Sequence, residues 1–219
     1  MRSESPQHLS HGRNRQWDTA GILLDESMVK AQARLDLPGL FGNRRPVEIE
    51  IGTGKGTFLL ARATARPELN FIGIEWARAY AVYTADRFRR CGVANVRMLH
   101  ADAGLFFRHC LADASIWRVH IYFPDPWPKS RHHRRRLIQR PFLDELRRVL
   151  LPGGQVLIVT DHREYFEHIQ QVFCGAEKFA SIDFPQMADK DDEVVGTNFE
   201  RKYIAQGRPF HKLARMRIG

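Results

Sequence analysis

The sequence predicts an α/β protein with a mostly parallel sheet and helices on both faces. Three observations predict it. Short apolar segments alternate with segments of helical periodicity, and strands joined by crossover helices run parallel. Acidic residues recur where the apolar segments end, at Glu50, Glu75, Asp102 and Asp125. A glycine string, Gly52, Gly54 and Gly56, follows the first of those segments. In open parallel sheets the ligand crevice lies at the carboxyl ends of the strands, so acids and glycines should gather at one edge.

Residues 1–20 are rich in Ser, His, Arg, Asn and Gln and read as a flexible arm preceding a single domain at 21–219. Val47-Glu48-Ile49-Glu50-Ile51 alternates as a first strand, and 57–64 reads as a helix. The second strand, 71–74, ends at Glu75, and a helix over 77–91 is stopped by Gly92. The third strand, 96–99, ends near Asp102, and the fourth, 119–123, ends at Pro124-Asp125. Phe142, Leu146, Val149 and Leu150 share one helical face, and Pro152-Gly153-Gly154 is the expected stop. A fifth strand follows at 155–160 and a helix at 165–173, with Asp161-x-x-Glu164 as a capping box. Ala214, Met216 and Ile218 alternate with arginines in a last strand.

Composition limits the function. The chain has 219 residues, 43% of them hydrophobic, enough for one well-buried core. Its formal net charge of +9 favours a polyanionic partner, because each neutralised phosphate releases a counterion. Cys91, Cys110 and Cys174 form no CxxC or Cys/His pattern, so neither a disulfide framework nor a metal site is expected, as suits a cytoplasmic protein. No apolar run approaches a membrane span, and the first residues lack the apolar segment of a signal peptide.

The loop Glu50-Ile51-Gly52-Thr53-Gly54-Lys55-Gly56 lets backbone approach a ligand closely. It fits neither the dinucleotide fingerprint, whose third glycine would stand at Thr57, nor a phosphate-binding loop. Glu50 repels phosphate but suits a cation or a hydroxyl. Glu75 is placed to accept bonds from vicinal hydroxyls, and Asp102 from an amino group. Each acid alone could equally be a helix cap or a turn former.

Phe123-Pro124-Asp125-Pro126-Trp127-Pro128 stiffens the chain where the fourth strand ends. Lys129, Arg131, Arg134, Arg135 and Arg136 follow at once, a run suited to phosphates, with an aromatic neighbour suited to an unstacked base. The bland alternative is a solvated charged loop.

These motifs resemble the bacterial tRNA (guanine-N7-)-methyltransferase family. The family's Asp-Pro-Trp-Pro-Lys motif and basic run match 125–136, its Glu-Ile-Gly-x-Gly-x-Gly loop matches 50–56, and its Thr-x-(Phe/Tyr)-Glu motif matches Thr197-Asn198-Phe199-Glu200. The resemblance spans roughly 45–218 and implies a Rossmann-like class I methyltransferase fold with an antiparallel C-terminal strand. It implies S-adenosylmethionine as cofactor, held by Glu50, Gly52, Gly54, Gly56, Glu75, Asp102 and Asp125, with Asp125 also catalytic. It implies tRNA as substrate, modified at guanosine 46 of the variable loop. Substrate contacts fall on Lys129, Arg131, Arg134, Arg135, Arg136, Asp161, Thr197, Asn198, Phe199 and Glu200. Ser130 stands where the family commonly has a basic residue. A monomer or homodimer without metal is expected. The alternatives are a methyltransferase for another RNA nucleobase nitrogen and a non-catalytic RNA-binding module of the same fold.

Overall fold

The computed structural model describes residues 16–188 and 193–219. Its strands are β1 (Val47–Ile51), β2 (Asn70–Glu75), β3 (Val96–His100), β4 (Ile116–Tyr122), β5 (Leu150–Thr160), β6 (Phe179–Ser181) and β7 (His211–Arg217). They form one sheet in the order β3-β2-β1-β4-β5-β7-β6. β1 to β5 run parallel, and β7 pairs antiparallel with both β5 and β6. Strand order reverses between β1 and β4, the switch point at which such sheets open a ligand crevice.

The helices are α1 (Ser27–Lys30), α2 (Leu37–Phe41), α3 (Thr57–Ala65), α4 (Arg78–Arg90), α5 (Ala103–Cys110), α6 (Arg140–Val149), α7 (Arg163–Phe173) and α8 (Asn198–Ile204). The alternation in β1 sends Ile49 into a core with Phe106 and Phe107 of α5, Phe142 and Leu146 of α6, and Tyr165 and Ile169 of α7. The opposite face is shared by two smaller clusters. Leu59 and Ala63 of α3 pack with Ala85 and Phe88 of α4 beneath β2 and β3. Phe58, Tyr122, Leu157, Val159, Val195 and Ala214 pack beyond them. Each fully buried large apolar side chain contributes about 1.5–3 kcal/mol.

The expected parallel sheet, the helices on both faces and the antiparallel C-terminal strand are all present. Three local expectations are corrected. α6 ends at Val149, and Leu150 already opens β5. Pro152-Gly153-Gly154 therefore stops no helix. It lies in β5 where the register against β4 slips between Ile116 and Arg118. Gly153 has φ +79°, and a Cβ on Gly154 would stand 2.8 Å from the Leu151 carbonyl oxygen, so the bulge needs both glycines.

The second correction concerns α7. His162, not Asp161, caps it, with Nδ1 accepting from the Tyr165 N–H at 3.3 Å. Asp161 is instead paired with Arg208 at 2.9 Å. The third concerns the arm. Positions 1–15 lie outside the described residues, but Trp17 packs edge-on against Tyr83 and Asp18 accepts from Arg89, so the chain is anchored to α4 before residue 20.

Candidate active site

The glycine loop turns at the end of β1. Gly52, Gly54 and Gly56 all have positive φ, at +81°, +53° and +69°. A Cβ on Gly52 or Gly54 would meet nothing within 4 Å, whereas one on Gly56 would strike Thr84 and Phe88. Gly52 and Gly54 thus leave the loop backbone open, and Gly56 lets it sit tightly on α4. The turn is held by Gly56 N–H donating to the Thr53 carbonyl and by the Thr84 hydroxyl donating to the Gly54 carbonyl at 2.7 Å.

Glu75, at the end of β2, accepts from Gly54 N–H at 2.8 Å and from Ala77 N–H at 2.9 Å. Its carboxylate organises the loop and keeps lone pairs to spare. Glu50 lies across from Gly73 and His120 in the sheet. It is 3% exposed, and its Oε2 is buried without a hydrogen-bond partner. Burial pushes its carboxyl well above the usual carboxylate range, and the charge of Glu75 adds to the rise. Asp102 caps α5, Oδ1 accepting from Leu105 N–H at 2.9 Å. Trp76 and Leu105, exposed by 72% and 50%, stand next to Glu75 and in the first turn after Asp102.

Asp125 is exposed at the end of β4. Phe123 and Trp127, two residues to either side, take left-handed φ values of +52° and +45°. Such values disfavour bulky residues, by a strain of about 1–2 kcal/mol each, and tend to mark functional sites. The strain is held by packing. Phe123 sits within 6.4 Å of Phe199 and 5.5 Å of both Tyr203 and Phe210. Asp125 and Asp161 both act on Tyr203: burial raises its phenol first, then the charge of Asp161, and Asp125 adds to it. Arg208 lies 4.8 Å over the Tyr203 ring while holding Asp161. None of Phe123, Tyr203, Phe210 or Arg208 is singled out by the sequence motifs.

The basic run folds into a 3-10 helix, Ser130–Arg135, with Lys129 as its N-cap. Lys129, Arg131, Arg134 and Arg135 are exposed. Desolvation and then the charges of Arg135, Arg131, Lys129 and Arg134 hold His132 below its usual pKa, a direct sign of the local positive potential. Trp127 meets His132 edge-on at 5.8 Å and Arg135 over its face at 5.1 Å, so it props the basic turn. Arg136 departs from the expected phosphate contact. It is 3% exposed, donates to the Pro126 carbonyl at 2.8 Å and to Glu164 at 2.9 Å, and lies over Tyr165. It anchors the turn and does not face a phosphate.

The Thr197-x-Phe-Glu motif divides in the same way. Thr197 caps α8, its hydroxyl accepting from Glu200 N–H at 3.0 Å. Glu200 is fully buried, and its carboxylate accepts from the N–H groups of Val195 at 2.9 Å and Gly196 at 2.6 Å. Burial turns both side chains inward as loop organisers, which corrects the expectation that they face a substrate. Asn198 and Phe199 are exposed, Phe199 by 47%, and remain available at the rim.

With this geometry in hand, similarity to known proteins becomes informative. A family model described as "Putative methyltransferase" matches residues 44–213. A tRNA (guanine-N(7)-)-methyltransferase of Oceanobacillus iheyensis is 37% identical over 79% of this chain and 81% of its own length. Another, from Halorhodospira halophila, is 35% identical over 90% of this chain and 84% of its own. The chain belongs to the tRNA (guanine-N7-)-methyltransferase family. Among solved structures, a 30S ribosomal A1408 methyltransferase from an uncultured bacterium superposes with a TM-score of 0.59 at 15% identity, covering 89% of this chain and 95% of that one. A SAM-dependent methyltransferase from Aquifex aeolicus gives 0.54 at 15% identity, covering 89% and 100%. At that identity the superpositions speak for the fold alone, a class I methyltransferase sheet. No helix among the described residues is long and apolar enough to cross a membrane, and no cluster among them has the make-up of a metal site.

Proposed function

We propose that this protein transfers the methyl group of S-adenosylmethionine to N7 of a guanosine in tRNA, at position 46 of the variable loop, in the cytoplasm. The observation that carries the reading is a juxtaposition at one sheet edge. A cradle that seeks a cation, made by Glu50, Glu75 and the open Gly52 and Gly54, adjoins an exposed basic turn, and Asp125 stands where the two meet.

The cradle fits the cofactor. Glu50 offers an unpartnered buried carboxyl to positive charge, Glu75 has lone pairs for ribose hydroxyls, and Asp102 stands ready for the adenine amino group. Trp76 and Leu105 supply apolar faces for a purine. When bound, S-adenosylmethionine supplies an electrophilic methyl group on a sulfonium. N7 of guanine carries a lone pair and no proton, so no strong base is required. What the chain must supply is position and charge. Lys129, Arg131, Arg134 and Arg135 hold phosphates. Phe199 and the aromatic group around Phe123 flank the base. Asp125 orients the guanine through its N–H edge and stabilises the positive charge that develops on the ring.

Nucleoside mass spectrometry tests this. Unmodified tRNA treated with the protein and cofactor should gain N7-methylguanosine, mapped by fragmentation to the variable loop. A methyl group on another nucleobase nitrogen, or none, would reject the reading.

A further inference from the structure

Glu48 and Glu50 point to the same face of β1, yet only one has partners. Glu48 is enclosed by Arg62, Arg118 and His120. Glu50, one pleat nearer the crevice, has neither cation nor donor on Oε2. The titratable and charged groups around it can be named element by element. On β1 there is Glu48, already matched by arginines. On β2 there is Glu75, a like charge. On β4 there are Arg118, committed to Glu48, and His120 and Tyr122, which bond each other at 2.7 Å. On α3 there is Arg62, also committed to Glu48. Lys55, in the glycine loop, stands only half-buried. No cation offsets the burial of Glu50, so an ionised carboxylate there is an uncompensated buried charge.

We infer that Glu50 carries a proton in the ligand-free protein and gives it up to solvent when the cationic methyl donor enters, so that donor binding releases a proton. The inference rests on the cofactor reading above. The O–H bond of Glu50 breaks, the proton leaves to buffer, and the carboxylate left behind is neutralised by the ligand's positive charge. Burial and Glu75 hold the Glu50 carboxyl high without ligand, and a cation beside it draws the pKa back down. Donor affinity therefore rises with pH up to the titration point of the free protein and flattens above it. A neutral nucleoside, without positive charge to offer, triggers no release. Glu50 thereby selects for charge as well as shape.

Calorimetric titration of the full chain with S-adenosylmethionine at pH 6 to 7, in buffers of different ionisation enthalpy, reads the proton directly. That range lies below the titration of the ligand's own amino group, at about 7.7–8.0. Release approaching about one proton per donor is expected for the unaltered protein. Glu50→Gln should bind more weakly and release none. Binding without proton release would overturn the inference and leave the cofactor reading standing. Absence of any binding would overturn both. Carbon-13 NMR of glutamate carboxyls in the ligand-free protein gives a check that needs no ligand. One carboxyl should titrate well above the others and be missing from Glu50→Gln. If all titrate in the ordinary range, the inference fails whatever the calorimetry shows.

Discussion

Glu48 and Glu50 occupy one strand, face one side and lie equally deep, yet the fold treats them oppositely. Arg62 meets Glu48 with two donors at 3.0 and 3.1 Å, Arg118 adds a third at 3.1 Å, and His120 Nε2 lies at 2.9 Å. A neutral His120 with its proton on Nε2 donates to Glu48 and accepts the Tyr122 hydroxyl on Nδ1, so every group is satisfied. Burial opposes the ionised Glu48, but His120 and the two guanidiniums outweigh it and hold the pKa below the carboxylate range. Glu50 has none of this. The middle of the sheet is built for stability, and the carboxyl edge withholds partners that a ligand will bring. Satisfied buried charge belongs to the fold, and unsatisfied buried charge to the site.

The contrast breaks most visibly at Glu48. Glu48→Gln leaves two buried guanidiniums facing a neutral amide, and removing one partner of a buried pair costs about 3–5 kcal/mol. Urea unfolding should show that loss, while donor affinity of the folded fraction stays close to the unaltered value. A loss under about 1 kcal/mol, the scale of a surface pair, would mean that water reaches Arg62 and Arg118.

At Asp125 the effect moves from folding to chemistry. The exposed carboxylate is held between two left-handed residues, so Asp125→Asn should fold normally. If Asp125 stabilises charge developing on guanine, kcat falls on the order of a hundredfold with both substrates saturating. Single-turnover methylation at the unaltered rate would restrict Asp125 to binding. Because no proton leaves N7, kcat should also vary little from neutral to mildly alkaline pH.

The basic turn repeats the comparison in cations. Arg136→Ala removes bonds to Pro126 and Glu164 and packing on Tyr165, and should lower stability by about 2 kcal/mol. Arg134→Ala and Arg135→Ala should leave the melting temperature nearly unchanged. Each should instead reduce the slope of log tRNA affinity against log salt by about one. If Arg136→Ala changes the slope and not the stability, the assignments are reversed.

The same contrast explains what the sequence discloses. Period-two and helical patterns carry β1 to β5, α3, α4 and α7, because burial on one face writes itself into residue type. Glu50, Glu75, Asp102 and Asp125 are legible as strand-end acids, and the structure does put all four at strand ends. The direction of a side chain is not legible. Arg136 reads like Arg135, and Glu200 reads like a surface acid, yet both are buried, because partners distant in sequence, Glu164 for one and the 194–196 backbone for the other, turn them inward. The Glu48 network was equally hidden: Arg62, Arg118 and His120 meet it only through strand register and the crossing of α3. Arg208 and Tyr203 come from a segment without periodic pattern, and only folding brings them to Asp161.

The smallest expected effect is the most discriminating. If the carboxyl edge withholds partners from Glu50, the ligand-free protein bears a penalty that a neutral isostere removes. The sign follows from linkage. The folded-state pKa of Glu50 is raised by burial and by Glu75, so the unfolded chain loses its proton first as pH rises. Folded stability therefore declines from the unfolded pKa, about 4.3, up to the folded one, and the deficit persists above it. Glu50→Gln has no proton to lose. It should equal the unaltered protein in stability near pH 4 and exceed it at pH 7 by about 1 kcal/mol, the scale on which relieving a functionally destabilised site stabilises a protein. Thermal melts across that range measure the gap. Saturating S-adenosylmethionine should reverse the order at pH 7, since the unaltered protein gains more from binding. A variant less stable than the unaltered protein at both pH values would mean that Glu50 has partners in solution, and the opposition between the two glutamates would collapse.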